Sequence, residues 1–546
     1  MLRESTPLLS HGVRRAVVTA LCAAGLVLAT VFLGAAAASA HAVLVSSDPG
    51  YGAMVDHAPA RVSITFDEPV TAAQNAVTVA DRDGARADDG SPATADGGRT
   101  VVVPLRPGLS DGTYLLGWSL LSADGHVVAG SIVFGIGVPP DLTVTAAPPD
   151  PLIATLDTVV RLLTALGYLG IALAVGIPLA VRLIWTEAAH SRAITQLTRV
   201  GAAAVSGTAL AAFALIPGRL GGAAGWGEPR TWIQSAISLA GAVLLAKAMG
   251  AIALAYAATA SSRRAGSIMA VSGTVVVLAQ AASGHAAAGE YRWAAVVSTV
   301  LHVVAMAVWV GGVMVVVLAW RTSRRVRVVA RFGSVAAGAV AALAVSGVFQ
   351  AWRAVSPVAA LWSTSWGLLL IAKLSLVAVA LGVAVAVRRW AAGNRRRESV
   401  GMSWVVRAEL GAQVAVLVVT ALLTGVAPAR DTYDPAVALD VPVGALTAHV
   451  NIDGAHAGPQ KITVRLKDSA GLPRGALEVT GRLERDGGGI GPVEVVFRRV
   501  EPVEIGPDYF VSRPVRVPVA GEWRLRLTVV ADRVSGYAAT VPYRVW

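Results

Sequence analysis

Residues 293–320, WAAVVSTVLHVVAMAVWVGGVMVVVLAW, run for 28 positions with His302 as their single ionisable side chain. As a helix rising about 1.5 Å per residue, such a run outreaches the ~30 Å hydrocarbon core of a bilayer. Seven more apolar segments lie near 153–182, 197–217, 232–257, 267–287, 332–353, 366–387 and 404–427. The sequence therefore predicts an eight-helix transmembrane bundle over 153–428. Composition agrees: 55% of the chain is hydrophobic and 15% charged, where a soluble protein carries roughly a quarter charged residues.

The loops between these segments set the orientation. One alternate set holds Arg182, Arg192 and Arg199, then Arg263 and Arg264, then the five arginines of 321–331, then Arg388, Arg389, Arg395, Arg396 and Arg397. The other set holds only Arg219, Arg230, Arg292 and Arg353. Cytoplasmic loops collect Lys and Arg, so the first set faces the cytoplasm of a bacterium and both flanking regions are extracytoplasmic. The formal charge of +12 is thereby spent on topology, not on nucleic acid. Residues 41–150 hold 13 Asp/Glu against 5 Lys/Arg, a net charge of −8.

Residues 1–40 read as a signal peptide, with Arg3, Arg14 and Arg15 before a long apolar run and Ala38-Ser39-Ala40 as the cleavage pattern. An uncleaved anchor is the competing reading. Cleavage after Ala40 leaves His41 with a free α-amine. The only cysteine, Cys22, lies in the leader, so the mature chain has neither disulfides nor thiolate metal sites.

Residues 41–140 alternate apolar and polar positions in short runs (RVSITFDEPV, RTVVVPL, GTYLLGWSLL, GSIVFGIG) separated by turn signals. That pattern predicts an Ig-like or Greek-key β-sandwich. Residues 141–152 form a Pro-rich linker, and 435–546 predict a second extracytoplasmic β-sandwich. The fold class is a mixed, multi-domain membrane protein.

Metal chemistry concentrates at His41 and in SADGHVVAGSIVFGIG, residues 122–137. An N-terminal histidine offers its amine and a ring nitrogen. Asp124 and His126, two apart, project from one face of an extended segment. Three nitrogens and a carboxylate oxygen suit tetragonal Cu(II). The competing reading of Asp124-Gly125-His126 is an exposed turn. His57 is a further, supporting candidate.

An ionisable group at membrane depth is expensive and by default functional. His302 lies about nine residues into its span, and Met306 follows one turn on, on the same helix face. Imidazole with thioether favours Cu(I). His285, near the outer end of the fourth span, could pass metal to His302. The competing role for His302 is a helix–helix hydrogen bond. Met269 and Met314 read mostly as filler, Gly311 and Gly312 as close-packing residues. Lys247, Lys373 and Glu409 are also membrane-embedded. In the tail, His449 and His456 flank a turn.

Residues 41–137 resemble the periplasmic copper-binding CopC family, through HAVLVSSDPG, VSITFDEPV and SADGHVVAGSIVFGIG. The resemblance implies His41, Asp124 and His126 as Cu(II) ligands. A Met-rich Cu(I) site known in some members is not expected, because Met54 is the domain's only methionine. HVVAMAVWVGG (302–312), RFGSVA (331–336), SWGLLLIAKLSL (365–376) and RAELGAQVAVLVVTALLTGVAPA (407–429) resemble the copper-resistance CopD family. The tail resembles Ig-like or YtkA-like extracytoplasmic domains. The whole is similar to fused CopC–CopD copper importers of Gram-positive bacteria.

The expected partners are the copper ion and the lipid bilayer, without nucleic acid. No nucleoside-triphosphate motif is present, and no enzymatic activity is read. The function expected is capture of Cu(II) outside and copper uptake, in copper homeostasis and resistance. Two alternatives stay open: extracytoplasmic sequestration or delivery with a non-transporting membrane anchor, and haem ligation by His285 and His302. Their different depths weigh against one haem plane.

Overall fold

The computed structural model describes residues 42, 44–66, 68–72, 76–90, 92–122, 125, 127–141, 144, 150–260, 264–283, 292–320, 322–393, 400–485, 492–500, 509–517 and 521–546. The leader and four predicted site residues, His41, Asp124, His126 and His285, lie outside the described residues. The chain divides into two compact units, Met1–Ala429 and Arg430–Trp546.

The first unit opens with nine strands. They are β1 (Leu44–Asp48), β2 (Met54–Val55), β3 (Arg61–Phe66), β4 (Val70–Thr71), β5 (Val77–Asp81), β6 (Ala93–Ala95), β7 (Thr100–Pro104), β8 (Gly112–Ser122) and β9 (Val127–Ile136). They make two sheets, β1-β3-β7-β6 and β2-β9-β8-β4, with β5 also paired to β8. Alternation drives the fold: Val62, Ile64 and Phe66 of β3 and Val101 and Val103 of β7 turn inward. They share one core with Leu116, Leu120, Ile132 and Phe134 of the other sheet. The long hairpin β8–β9 pairs Leu121 with Val127, and between that pair the structure describes Ser122 and Gly125.

The bundle follows as α1 (Pro151–Ile184), α2 (Arg192–Gly225), α3 (Pro229–Ile237), α4 (Leu239–Ala257), α5 (Ala265–Ala282), α6 (Arg292–Ala319), α7 (Arg325–Ala354), α8 (Ser365–Gly393) and α9 (Val400–Thr424). Among the described residues seven helices are long and apolar enough to cross a membrane, not the eight expected. The last expected span is helical over 25 residues, but its apolar part, Ala408–Thr424, is shorter. The expected span 232–257 is also broken. Ser238 adopts extended backbone (φ −63°, ψ 150°), and its hydroxyl accepts the Gly241 N–H, so α4 starts afresh. Within α1 a π turn occupies Ala172–Gly176.

The second unit departs from the sandwich expected. Its main sheet runs in the order Val437–Val443, Leu446–Ile452, Ile462–Lys467, Tyr509–Ser512, Val493–Val500, Glu478–Arg485, Gly521–Val530, Gly536–Val545. The first and last of these strands lie against each other, so one sheet nearly closes on itself. The physical reason lies in strands such as Gly521–Val530, where Trp523, Leu525, Leu527 and Val529 are buried and the residues between them are exposed. A single apolar face per strand is satisfied by curling the sheet around it.

Candidate functional site

His302 sits on α6, half-buried, facing α7. Its Nδ1 lies 2.9 Å from the Ser346 hydroxyl. That hydroxyl has one proton, and the Ala342 carbonyl 2.6 Å away takes it in the usual back-bond to the preceding helical turn. Nδ1 must then be the donor to Ser346, which fixes the tautomer and puts the lone pair on Nε2. Among the described residues Nε2 has no hydrogen-bond partner. The helix–helix hydrogen bond and a ligand role, opposed in the sequence reading, are thus compatible on one ring: one nitrogen orients, the other is left to bind. Gly347 leaves room for the ring, since a Cβ built there would meet His302 Cε1 at 3.6 Å. Lys373 of α8 lies within electrostatic range of the imidazole.

Met306, one turn on, is buried in a core with Tyr168, Ile171, Leu417 and Ala421 of α1 and α9. Tyr168 hydrogen-bonds the Thr424 side chain. Beside Met306 the helices approach to backbone contact. A Cβ on Gly176 would lie 2.0 Å from the Ala307 carbonyl oxygen, and one on Gly311 would lie 2.4 Å from the Gly176 carbonyl carbon. Gly312 abuts the Phe332 ring in the same way. These glycines do serve close packing, and they hold the π turn of α1 against the turn of α6 that carries Met306.

Of the membrane-embedded Lys247 the sequence showed the position but not the partner. Lys247 of α4, 8% exposed, donates to Gln280 Oε1 of α5 at 2.5 Å. Met269 lies 3.9 Å from the Arg182 guanidinium, and Met314 packs into the core around Trp309. His57 is an exposed bend residue.

The β-domain rests on the bundle through Ile216 and Leu220 of α2, which join its core, with Phe213, Ala240 and Leu244 beside them. Pro217 lies inside α2, and Gly221 and Gly222 leave helical geometry. The opened end turns Arg219 toward the β-domain. Arg219 Nε donates to Asp157 Oδ1 of α1 at 2.7 Å, and its Nη1 donates to the Gly125 carbonyl at 2.9 Å. Asp157 was a single acid in the first apolar segment and Arg219 a loop arginine just past the second, and nothing in the sequence pairs them.

In the second unit His449 Nδ1 lies 2.7 Å from Asp440 Oδ1, while His456 Nδ1 lies 2.8 Å from the Ala457 carbonyl. The two rings have separate partners. Among the described residues no group of three His, Cys, Asp or Glu could hold a metal.

Comparison with known proteins follows the same partition. Residues 44–137 match the CopC domain, and residues 326–423 match copper resistance protein D, the CopD family. Copper resistance protein C of Xanthomonas campestris pv. juglandis is 37% identical over 112 residues, covering 19% of this chain and 86% of that protein. The chain belongs to the fused CopC–CopD copper-resistance family. This CopC–CopD chain is also 26% identical over 456 residues to copper transport protein CutJ of Bacillus subtilis (strain 168), covering 80% of the one and 83% of the other. Among solved structures, CopC from Methylosinus trichosporium OB3b is 26% identical, covers 19% of this chain and 100% of its own, and has a TM-score of 0.16. PcoC, a methionine-rich copper resistance protein from Escherichia coli, is 24% identical with coverages of 18% and 99% and a TM-score of 0.16. The CopC–CopD chain is accordingly a multi-pass membrane protein of copper resistance and transport families.

Proposed function

We propose that this CopC–CopD chain captures Cu(II) at His41, Asp124 and His126 of an extracytoplasmic β-domain and carries copper into the cell past His285, His302 and Met306. The observation that carries the membrane half of this reading is the His302–Ser346 pair, which orients the ring and leaves Nε2, one helical turn from Met306, without a hydrogen-bond partner among the described residues. Imidazole with thioether suits Cu(I), whereas the amine, imidazole and carboxylate set suits Cu(II). The difference is one electron per copper; an external thiol would supply it, two thiols giving one disulfide and two protons for every two Cu(II) reduced to Cu(I). Moving one positive charge inward across an inside-negative potential of about 100 mV releases about 2.3 kcal/mol, which favours uptake. Relationship to a copper transport protein over four-fifths of the chain supports the same direction of thought.

The test is cytoplasmic copper in cells expressing the wild type or His302→Ala. The expected result is accumulation above background for the wild type and its loss in the variant. Equal accumulation in both would remove His302 from the path. Copper bound to the cell exterior with no internal gain in either would favour sequestration behind a membrane anchor.

A further inference from the structure

Arg219 has no role in the path just described, yet it is 4% exposed and makes two short hydrogen bonds in different directions. One goes to Asp157 on α1. The other goes to the carbonyl of Gly125, the residue standing between Asp124 and His126 in the chain. The Gly125 backbone is fixed from its other end too: its N–H donates to the Ser122 carbonyl at 3.0 Å, and its φ of +90° is one that glycine adopts without strain. A Cβ built on Gly125 would lie 3.6 Å from Ala240 Cβ on α4. Gly125 thus meets α2 and α4 at one point, and the Arg219 guanidinium links it onward to Asp157 of α1.

We propose that Arg219 is a positioning residue that latches Gly125, in the hairpin tip between β8 and β9, onto the end of the membrane bundle. This inference rests on the reading that the tip carries copper ligands. A buried guanidinium beside a cation-binding loop would repel its cargo if left unpaired, and Asp157 cancels that charge at 2.7 Å. Arginine suits the task because its planar fork bonds a carboxylate and a carbonyl at once, which a lysine's point charge does not. With the tip latched, transfer between the two domains is an event within one molecule, at the high local concentration such tethering confers.

The experiment uses the full chain in membranes and follows amide hydrogen exchange in the wild type, Arg219→Gln, Arg219→Lys and Asp157→Asn. A lost charge-assisted hydrogen bond is worth about tenfold in the docking equilibrium. Exchange across residues 122–128 should rise by about that factor in Arg219→Gln, less in Arg219→Lys, while β3 and α4 keep wild-type protection. An unchanged rate at 122–128, or a rise shared by β3 and α4, would overturn the latch.

A second readout is the pair Gly125→Cys and Ala240→Cys in a Cys22→Ala background, whose Cβ separation falls within the range of about 3.5–4.5 Å that a disulfide needs. It should cross-link when Arg219 is present and fail to when Gln replaces it. Cross-linking that ignores residue 219 overturns the proposal, as does its absence with Arg219 in place. The Cu(II) electron paramagnetic resonance signal of the wild type tests the copper reading separately. A silent spectrum sinks that reading while leaving the exchange and cross-linking results standing.

Discussion

Asp88 shows how one side chain sets an acid limit on the β-domain. It is fully buried, accepts the Val79 N–H at 2.8 Å and takes a two-point fork from Arg86. Burial pushes its carboxyl up, but the Arg86 guanidinium and the backbone donors outweigh that, and it titrates below the ordinary 3.8. A depressed carboxyl adds stability that is complete above its unfolded value, about 3.9, and lost as pH falls through its folded value. Asp88→Asn should therefore cost about 2 kcal/mol at neutral pH and flatten the loss of stability below about pH 4, both measured by thermal unfolding across pH. A variant with the wild-type acid slope would move the effect elsewhere. Asp88 and Arg86 are two apart on a turn-rich stretch, so their pairing was not marked in the sequence. The lone His302, by contrast, announced itself by being costly where it sits.

At the scale of elements, the bundle's tightest joint is glycine on backbone. Gly311→Ala would drive its methyl to within 2.4 Å of the Gly176 carbonyl carbon, with no side chain available to yield. It should cost about 1–3 kcal/mol or more. Gly207→Ala in α2 meets nothing within 4 Å and should be neutral or gain about 0.5–1 kcal/mol. Folded yield and melting temperature in detergent compare the two. Equal behaviour would mean that the joint is looser than its geometry implies. Element types were legible because apolar runs and strand alternation are local properties. The break at Ser238 was not, since a serine between apolar stretches becomes a cap only where the chain turns. Closure of the C-terminal sheet was hidden for a related reason. Each strand declares its inward face, but which strands meet at the seam depends on pairings far apart in sequence.

For the whole molecule, the side of the membrane on which the second unit lies turns on α9. Seven crossings would leave the two β-units on opposite sides, whereas the 25 residues of α9, about 37 Å as a helix, suffice for an eighth. The arginine pattern of the loops predicts that crossing. Val534, 95% exposed, gives the test: Val534→Cys with Cys22→Ala should react with a membrane-impermeant thiol reagent on intact cells. Reaction only after lysis would place the second unit inside and end the scheme of paired outer domains. The joint between α1 and α6 has one more implication, for motion. Where Gly176 meets Ala307 and Gly311 there are no rotamers to exchange, so neither helix can slide past the other without parting main chain from main chain. The pair behaves as a keel, the fixed line around which Val205, Leu254, Val276 and Leu417 of four other helices pack.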